Sequence, residues 1–367
     1  MTRFRVCIQF LIEGEAGLNN AEVLVELNKI DSKRNVSIDT LKFLSIVAVI
    51  IIHVGPSYHS GPRAVEWVQT ACGLAVPLFF IASGYFFGKT FTKGVPLKTV
   101  YMRYLKRLLI IFLGWSVIYS LPRWSSDLLQ SIVQYGWIRT YYWYYTEVFQ
   151  FKLIYFLMGG TAAHLWFLSA LIQAITIITT FLLWKKEKFL IYFSLFLYLL
   201  MPVVNLYVQV GFKEDYRWNP VVGPFVATAF VVSGWWLSKI GRCSLRWAAA
   251  LIVMGIIGSW AHERVLVDFY NISPAHSNYG SLLVATGIFI AALSCPRLCE
   301  HTLLPRLGQL TLGVYCSHIL FVDLFKMFKD KIDPLAWDFI VPILIYLMAL
   351  GLTLLLKQIP CLRKLVI

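Results

Sequence analysis

The sequence predicts an all-α, polytopic transmembrane helical bundle, and three observations carry that prediction. Of its 367 residues, 59% are hydrophobic and 14% charged, with a mean hydropathy of +0.69. That composition excludes an ordinary soluble domain. Ten apolar segments, each near the length that a bilayer requires, recur at about 38–54, 72–88, 108–121, 164–183, 189–210, 220–238, 245–261, 279–294, 308–325 and 337–356. The third is short unless it begins near Arg103. Finally, lysine and arginine sort across these segments by about two to one toward the side that carries Lys33 and Arg34. That side is therefore expected to be cytoplasmic, and ten spans return both termini to it. Acidic residues show the opposite bias after residue 40, with only Glu187 and Glu300 in the cytoplasmic loops. This sorting explains much of the net charge of +14 without a nucleic-acid partner. The seven cysteines are scattered and lack paired metal-ligand spacing, so neither a disulfide framework nor a metal site is expected.

Residues 1–34 read as an N-terminal cytoplasmic extension ahead of a membrane domain at 35–367. Their apolar run, Val6 to Ile12, is too short for a signal peptide and lacks a small-residue cleavage site. No function is assigned to them. The first span, IDTLKFLSIVAVIIIHVG from Ile38 to Gly55, contains three polar side chains: Asp39, Lys42 and His53. A helix turns about 100° and rises ~1.5 Å per residue. Lys42 and His53, eleven residues apart, thus share a face and are separated by about 16 Å of rise. Asp39 lies within about 60° of Lys42. Ionisable groups inside a span usually face a bundle interior and serve a function. The competing reading places Asp39 and Lys42 at the interfacial end, with Lys42 snorkelling to the headgroups. It accounts less well for His53, which follows the apolar run Ile46 to Ile52.

In the second span, VPLFFIASGYFFGK, Pro77 can kink the helix and Ser83-Gly84 permits close approach of another backbone. The loop that follows is strongly basic. Arg103, Lys106 and Arg107 stand at i, i+3 and i+4, one face of a helix. Such a cluster binds either anionic lipid headgroups or the phosphates of a nucleotide-containing donor. The segment from Pro122 to Ala163 is expected to be a long, aromatic-rich outer loop that either covers the bundle or meets lipid or sugar surfaces. The fourth span opens with HLWFL, placing His164 beside Trp166 at the outer interface. The ninth contains GQLTLGVYCSHILFVDLF, with His318 near its middle. His318 is a second functional candidate, or else a histidine that hydrogen-bonds a neighbouring helix.

Taken in order, DTLKFLSIVAVIIIHV, PLFFIASGYFFGK, the RYLKR stretch, HLWFLSALI and LGQLTLGVYCSHILF resemble the acyltransferase-3 family of integral membrane acyltransferases. Within it the resemblance is strongest to bacterial O-antigen and surface-polysaccharide O-acetyltransferases, and it covers residues 36 to 357. It implies transfer of an acetyl group from cytoplasmic acetyl-CoA to a carbohydrate hydroxyl across the bacterial inner membrane. The implied acceptor is a polysaccharide or lipid-linked glycan, probed at a site surrounded by membrane lipids. By the same resemblance His53 matches the family's essential histidine, Lys42 its basic partner and Asp39 the preceding acid. Ser83, Gly84 and Tyr85 match a Ser-Gly-aromatic motif, Trp166 a fourth-span tryptophan, and His318 a C-terminal histidine. The basic stretch departs from the family's Arg-x-x-Arg spacing, since Arg103 pairs with Lys106 at three residues or with Arg107 at four.

The resulting expectation is a two-station site. Lys42 and the Arg103–Arg107 cluster would hold the phosphates of CoA. His53 would act some 16 Å further along the helix, as general base or as transient acyl carrier. The rival expectation is a transporter or flippase for a lipid-linked sugar, which would consume no thioester.

Overall fold

The computed structural model describes residues 35–56, 68, 71–92, 94–120, 156–157, 159–211, 223–241, 244–270 and 279–366. The N-terminal extension and most of the long aromatic segment lie outside the described residues. Among those described, the chain is all-helical. In order the helices are α1 (Val36–Val54), α2 (Ala75–Thr92), α3 (Leu97–Ser120), α4 (Trp166–Leu183), α5 (Glu187–Gly211) and α6 (Pro224–Ile240). They continue with α7 (Leu245–Tyr270), α8 (Ser281–Ser294), the short α9 (Leu304–Gly308), α10 (Thr311–Lys326) and α11 (Pro334–Gln358).

Each of the ten apolar segments corresponds to one long helix. Four stretches, Val36–Val54, Ala163–Leu183, Leu245–Val265 and Pro334–Gln358, are long and apolar enough to cross a membrane. The third helix begins at Leu97 rather than near residue 108. Its first turns carry Lys98, Arg103, Lys106 and Arg107, which lower the local hydropathy without interrupting the helix.

Local signals set the ends of α1. The Asn35 side chain accepts from the Ile38 amide at 3.2 Å, capping the N-terminus. Gly55 follows the helix at φ 69°, a conformation that costs a residue without Cβ little. Both ends are also tied to neighbours. The Ser37 hydroxyl donates to the Cys295 carbonyl and accepts from the Leu298 amide at 2.9 Å. The Trp337 indole donates to the Gly55 carbonyl at 3.1 Å. Between these ties α1 packs against α2, α8, α9, α10 and α11.

Glycines set the closest helix approach. A Cβ on Gly84 of α2 would run into the Val231 carbonyl of α6, and one on Gly234 would meet the Ile81 carbonyl of α2. Small residues at a crossing let two helix backbones approach closely. Beyond α11 the chain folds back. The Trp115 indole donates to the Leu365 carbonyl at 3.0 Å, and Val366 is buried against Gly313.

The periphery has the opposite character. On α7, Trp247, Val253, Ile256, Ile257 and Trp260 are exposed, as are Phe339, Ile343 and Leu347 on α11. Such apolar faces suit a lipid environment.

Candidate active site at the C-terminal end of the first helix

The structure separates the polar residues of α1 into two groups. Near the N-terminus of α1, Lys42 Nζ lies 2.7 Å from Asp39 Oδ1. The Asp39 side chain is 4% exposed and that of Lys42 23%. The lysine also stands 5.8 Å from the centroid of the Phe86 ring on α2. Pairing lowers the cost of keeping both charges in the bundle.

At the other end, about 16 Å further along the same unbroken helix, three imidazoles from distant parts of the chain come together. The His53 ring centroid is 5.2 Å from that of His318 on α10, with the planes at 48°. His318 in turn lies 5.3 Å from His164, in the 3-10 turn Ala163–Leu165 just before α4, at 74°. Tyr315 packs on both, 5.6 Å from His164 and 5.8 Å from His318. Tyr119, near the end of α3, closes the cluster at 4.9 Å from His164.

Hydrogen bonds fix most of these rings. His318 Nδ1 lies 2.6 Å from the Tyr315 carbonyl oxygen. A carbonyl only accepts, so Nδ1 carries the proton and Nε2 presents its lone pair. Among the described residues that buried Nε2 has no hydrogen-bond partner, and His318 as a whole is 0% exposed. The His164 Nε2–H donates to the Cys316 carbonyl at 3.3 Å, and the Tyr119 hydroxyl donates to the same oxygen at 2.8 Å. The Tyr315 hydroxyl donates back to the His164 carbonyl. These bonds latch the His164 turn and α3 onto the backbone of α10. His53 differs from the others: it is half-buried, and no hydrogen bond to a described residue holds its ring.

The other sequence-predicted residues sit around this core. Ser83 donates to the Phe79 carbonyl one turn earlier at 2.8 Å, and Gly84 makes the crossing with α6. Tyr85 packs edge-on against Phe289, with Lys89 5.6 Å above its ring. Trp166 lies 6.0 Å from Phe80, which stacks on Phe167, and Phe167 touches Tyr315. Trp166 thus reaches the cluster through two aromatic rings. Arg103, Lys106 and Arg107 are exposed on the first turns of α3. Tyr119 lies twelve residues beyond Arg107, about 18 Å along that helix. The basic group and the imidazoles are therefore at separate stations.

Three members of the cluster were not selected as site residues from the sequence. His164 carried a visible signal in HLWFL, but was noted only as an unusual neighbour of Trp166. Tyr315 precedes His318 by three residues and so shares its face. Tyr119 carried no signal. Among the described residues no group of three His, Cys, Asp or Glu side chains is arranged to hold a metal ion.

A family model described as an acyltransferase domain, Acyl_transf_3, matches residues 35–359. The chain belongs to the acyltransferase-3 family. Searches of curated proteins and of solved structures found no match. As a member of this family with apolar, membrane-length helices, the chain is an integral membrane acyltransferase. The matched residues contain the ion pair, the basic turns of α3 and all three imidazoles. A transporter is not favoured by this membership.

Proposed function

We propose that this acyltransferase-3 protein moves an acetyl group from cytoplasmic acetyl-CoA to a hydroxyl of a cell-surface polysaccharide, the O-antigen of lipopolysaccharide in particular. The bilayer is then the bacterial inner membrane, crossed by ten spans with both termini in the cytoplasm. One observation carries the reading. A single helix holds a paired charge near its N-terminus and, about 16 Å away, an imidazole facing a second, buried imidazole. That separation excludes a direct bond between Lys42 and His53. It suits a donor whose phosphates stay at the charged end while its pantetheine arm presents the thioester at the other.

Lys42 and the Arg103, Lys106 and Arg107 group are the cationic ligands for the CoA phosphates in this reading. His53 serves as general base on the sugar hydroxyl, worth roughly 10²–10⁴-fold, or as acyl carrier. The aromatic rings of Phe79, Phe167 and Tyr315 keep the imidazole end apolar, which limits loss of the acyl group to water.

The test is acetyl transfer from radiolabelled acetyl-CoA to surface polysaccharide, in membranes carrying wild type or His53→Ala at matched expression. Label on the glycan with wild type and none with the variant is expected. No glycan label with wild type would refute the acetyl-CoA reading. Label that survives His53→Ala would move the chemistry away from this residue.

A further inference from the structure

The unused lone pair of His318 points to a division of labour that refines the proposed transfer and rests on it. Three features distinguish the two facing imidazoles. His318 is completely buried, its Nδ1–H is committed to the Tyr315 carbonyl, and its Nε2 has no hydrogen-bond partner among the described residues. His53 is half-buried at the end of α1, and no hydrogen bond to a described residue restrains its ring. The rings nonetheless touch, with centroids 5.2 Å apart. A buried nitrogen without a donor opposite is costly to maintain in an apolar bundle. It is suited to receiving a proton from a hydroxyl brought against His53, the more exposed of the two rings.

We propose that His53 takes the acyl group and that His318 takes the proton of the acceptor hydroxyl. In the first half-reaction a ring nitrogen of neutral His53 attacks the thioester carbonyl. The carbon–sulfur bond breaks, a carbon–nitrogen bond forms, and the CoA thiolate leaves an acyl-imidazolium behind. In the second half, His318 Nε2 removes the proton of the sugar hydroxyl as its oxygen attacks the acyl carbon. The carbon–nitrogen bond breaks and its electron pair returns to His53, which is neutral again. His318, now carrying a proton on each nitrogen, holds its Nδ1–H on the Tyr315 carbonyl and passes the Nε2 proton to the CoA thiolate. The products are the ester and free CoA. His164 acts as a positioning residue: its side chain and backbone bonds to Cys316 and Tyr315 hold α10 where His318 meets His53.

The experiment is a quenched time course with radiolabelled acetyl-CoA on membranes of wild type, His53→Ala and His318→Asn. Label on protein and label on glycan are counted separately, first without acceptor glycan and then after its addition. Asparagine places an amide N–H near the position of Nδ1, so the bond to Tyr315 is kept while Nε2 is deleted. Wild type is expected to label itself and to lose that label to added glycan. His318→Asn is expected to label itself at the wild-type rate but to deliver to glycan about 10²–10⁴-fold more slowly. His53→Ala is expected to do neither. Delivery by His318→Asn within about threefold of wild type would overturn the role of His318. A folded His318→Asn that fails to label itself would overturn the assignment of separate half-reactions. Wild type that labels glycan but never itself would overturn the carrier role while leaving the proposed acetyl transfer standing. No glycan label in wild type would defeat both. Folding is checked by thermal unfolding in detergent. If His318→Asn does not fold, His318→Gln replaces it: its amide overlays Nε2 and gives up the Tyr315 bond, but it supplies no basic nitrogen, so slow delivery to glycan with normal self-labelling is again expected. Self-labelling of wild type and its loss in His53→Ala test the carrier half without either variant.

Discussion

The two ends of α1 solve the same problem in opposite ways. At the N-terminal end a buried carboxylate and a lysine neutralise each other at 2.7 Å. At the C-terminal end a buried imidazole nitrogen has no hydrogen-bond partner among the described residues and lies beside a second imidazole that no described residue hydrogen-bonds. A bundle interior penalises both kinds of group. The first arrangement lowers the penalty and leaves a stable ion pair. The second retains it, and in the proposed reaction that nitrogen is where a proton is received. Polarity inside a membrane protein is therefore not one signal. Its meaning depends on whether the structure satisfies it.

The largest expected effect lies at the crossing of α2, which packs against α1, with α6. Gly84→Val would drive a branched side chain into the Val231 carbonyl of α6. Overpacking a flexible core costs ~1–3 kcal/mol, and here the obstacle is backbone. A loss of more than about 3 kcal/mol is expected, seen as little or no monodisperse protein in size-exclusion chromatography. Normal yield and melting temperature would show that α2 and α6 are not held at this contact.

Lys42→Met sharpens the N-terminal half of the comparison. It leaves the Asp39 carboxylate buried without its lysine, at an expected cost of ~3 kcal/mol. The double variant Asp39→Asn, Lys42→Met should recover most of that loss in thermal unfolding. If the double variant is no more stable than the single one, the pair is not coupled as its geometry indicates.

Tyr315→Phe has the smallest expected effect. It deletes the hydroxyl that donates to the His164 carbonyl, worth ~1 kcal/mol. Turnover is expected to fall by less than about tenfold, since one such bond corresponds to less than one decade in rate. A fall as large as that of His318→Asn would mean that the tyrosine itself takes part in the chemistry.

Much of the helix plan was legible in the sequence, because hydropathy and span length act on each segment alone. The start of α3 was not, since Lys98 to Arg107 hide a continuous helix from any apolar criterion. His53 and His318 stood out individually as polar residues in apolar runs. Their meeting was not legible: it depends on α10 packing against α1, a relation between segments more than 250 residues apart. His164 was overlooked for a related reason. At the mouth of a span it passes for an interfacial residue, and only the 3-10 turn before α4 places it inside. The paired state of Lys42 was readable from its spacing to Asp39, because i and i+3 share a face on any helix.

The most direct test of the two-ended account is a steady-state comparison of kcat and KM for acetyl-CoA among wild type, Lys42→Met and His53→Ala in matched membranes. The account predicts that the Lys42 change raises KM with kcat close to wild type. It predicts that the His53 change lowers kcat by at least about 10²-fold with KM little altered. Loss of kcat at unchanged KM in Lys42→Met, or near-normal kcat in His53→Ala, would contradict it.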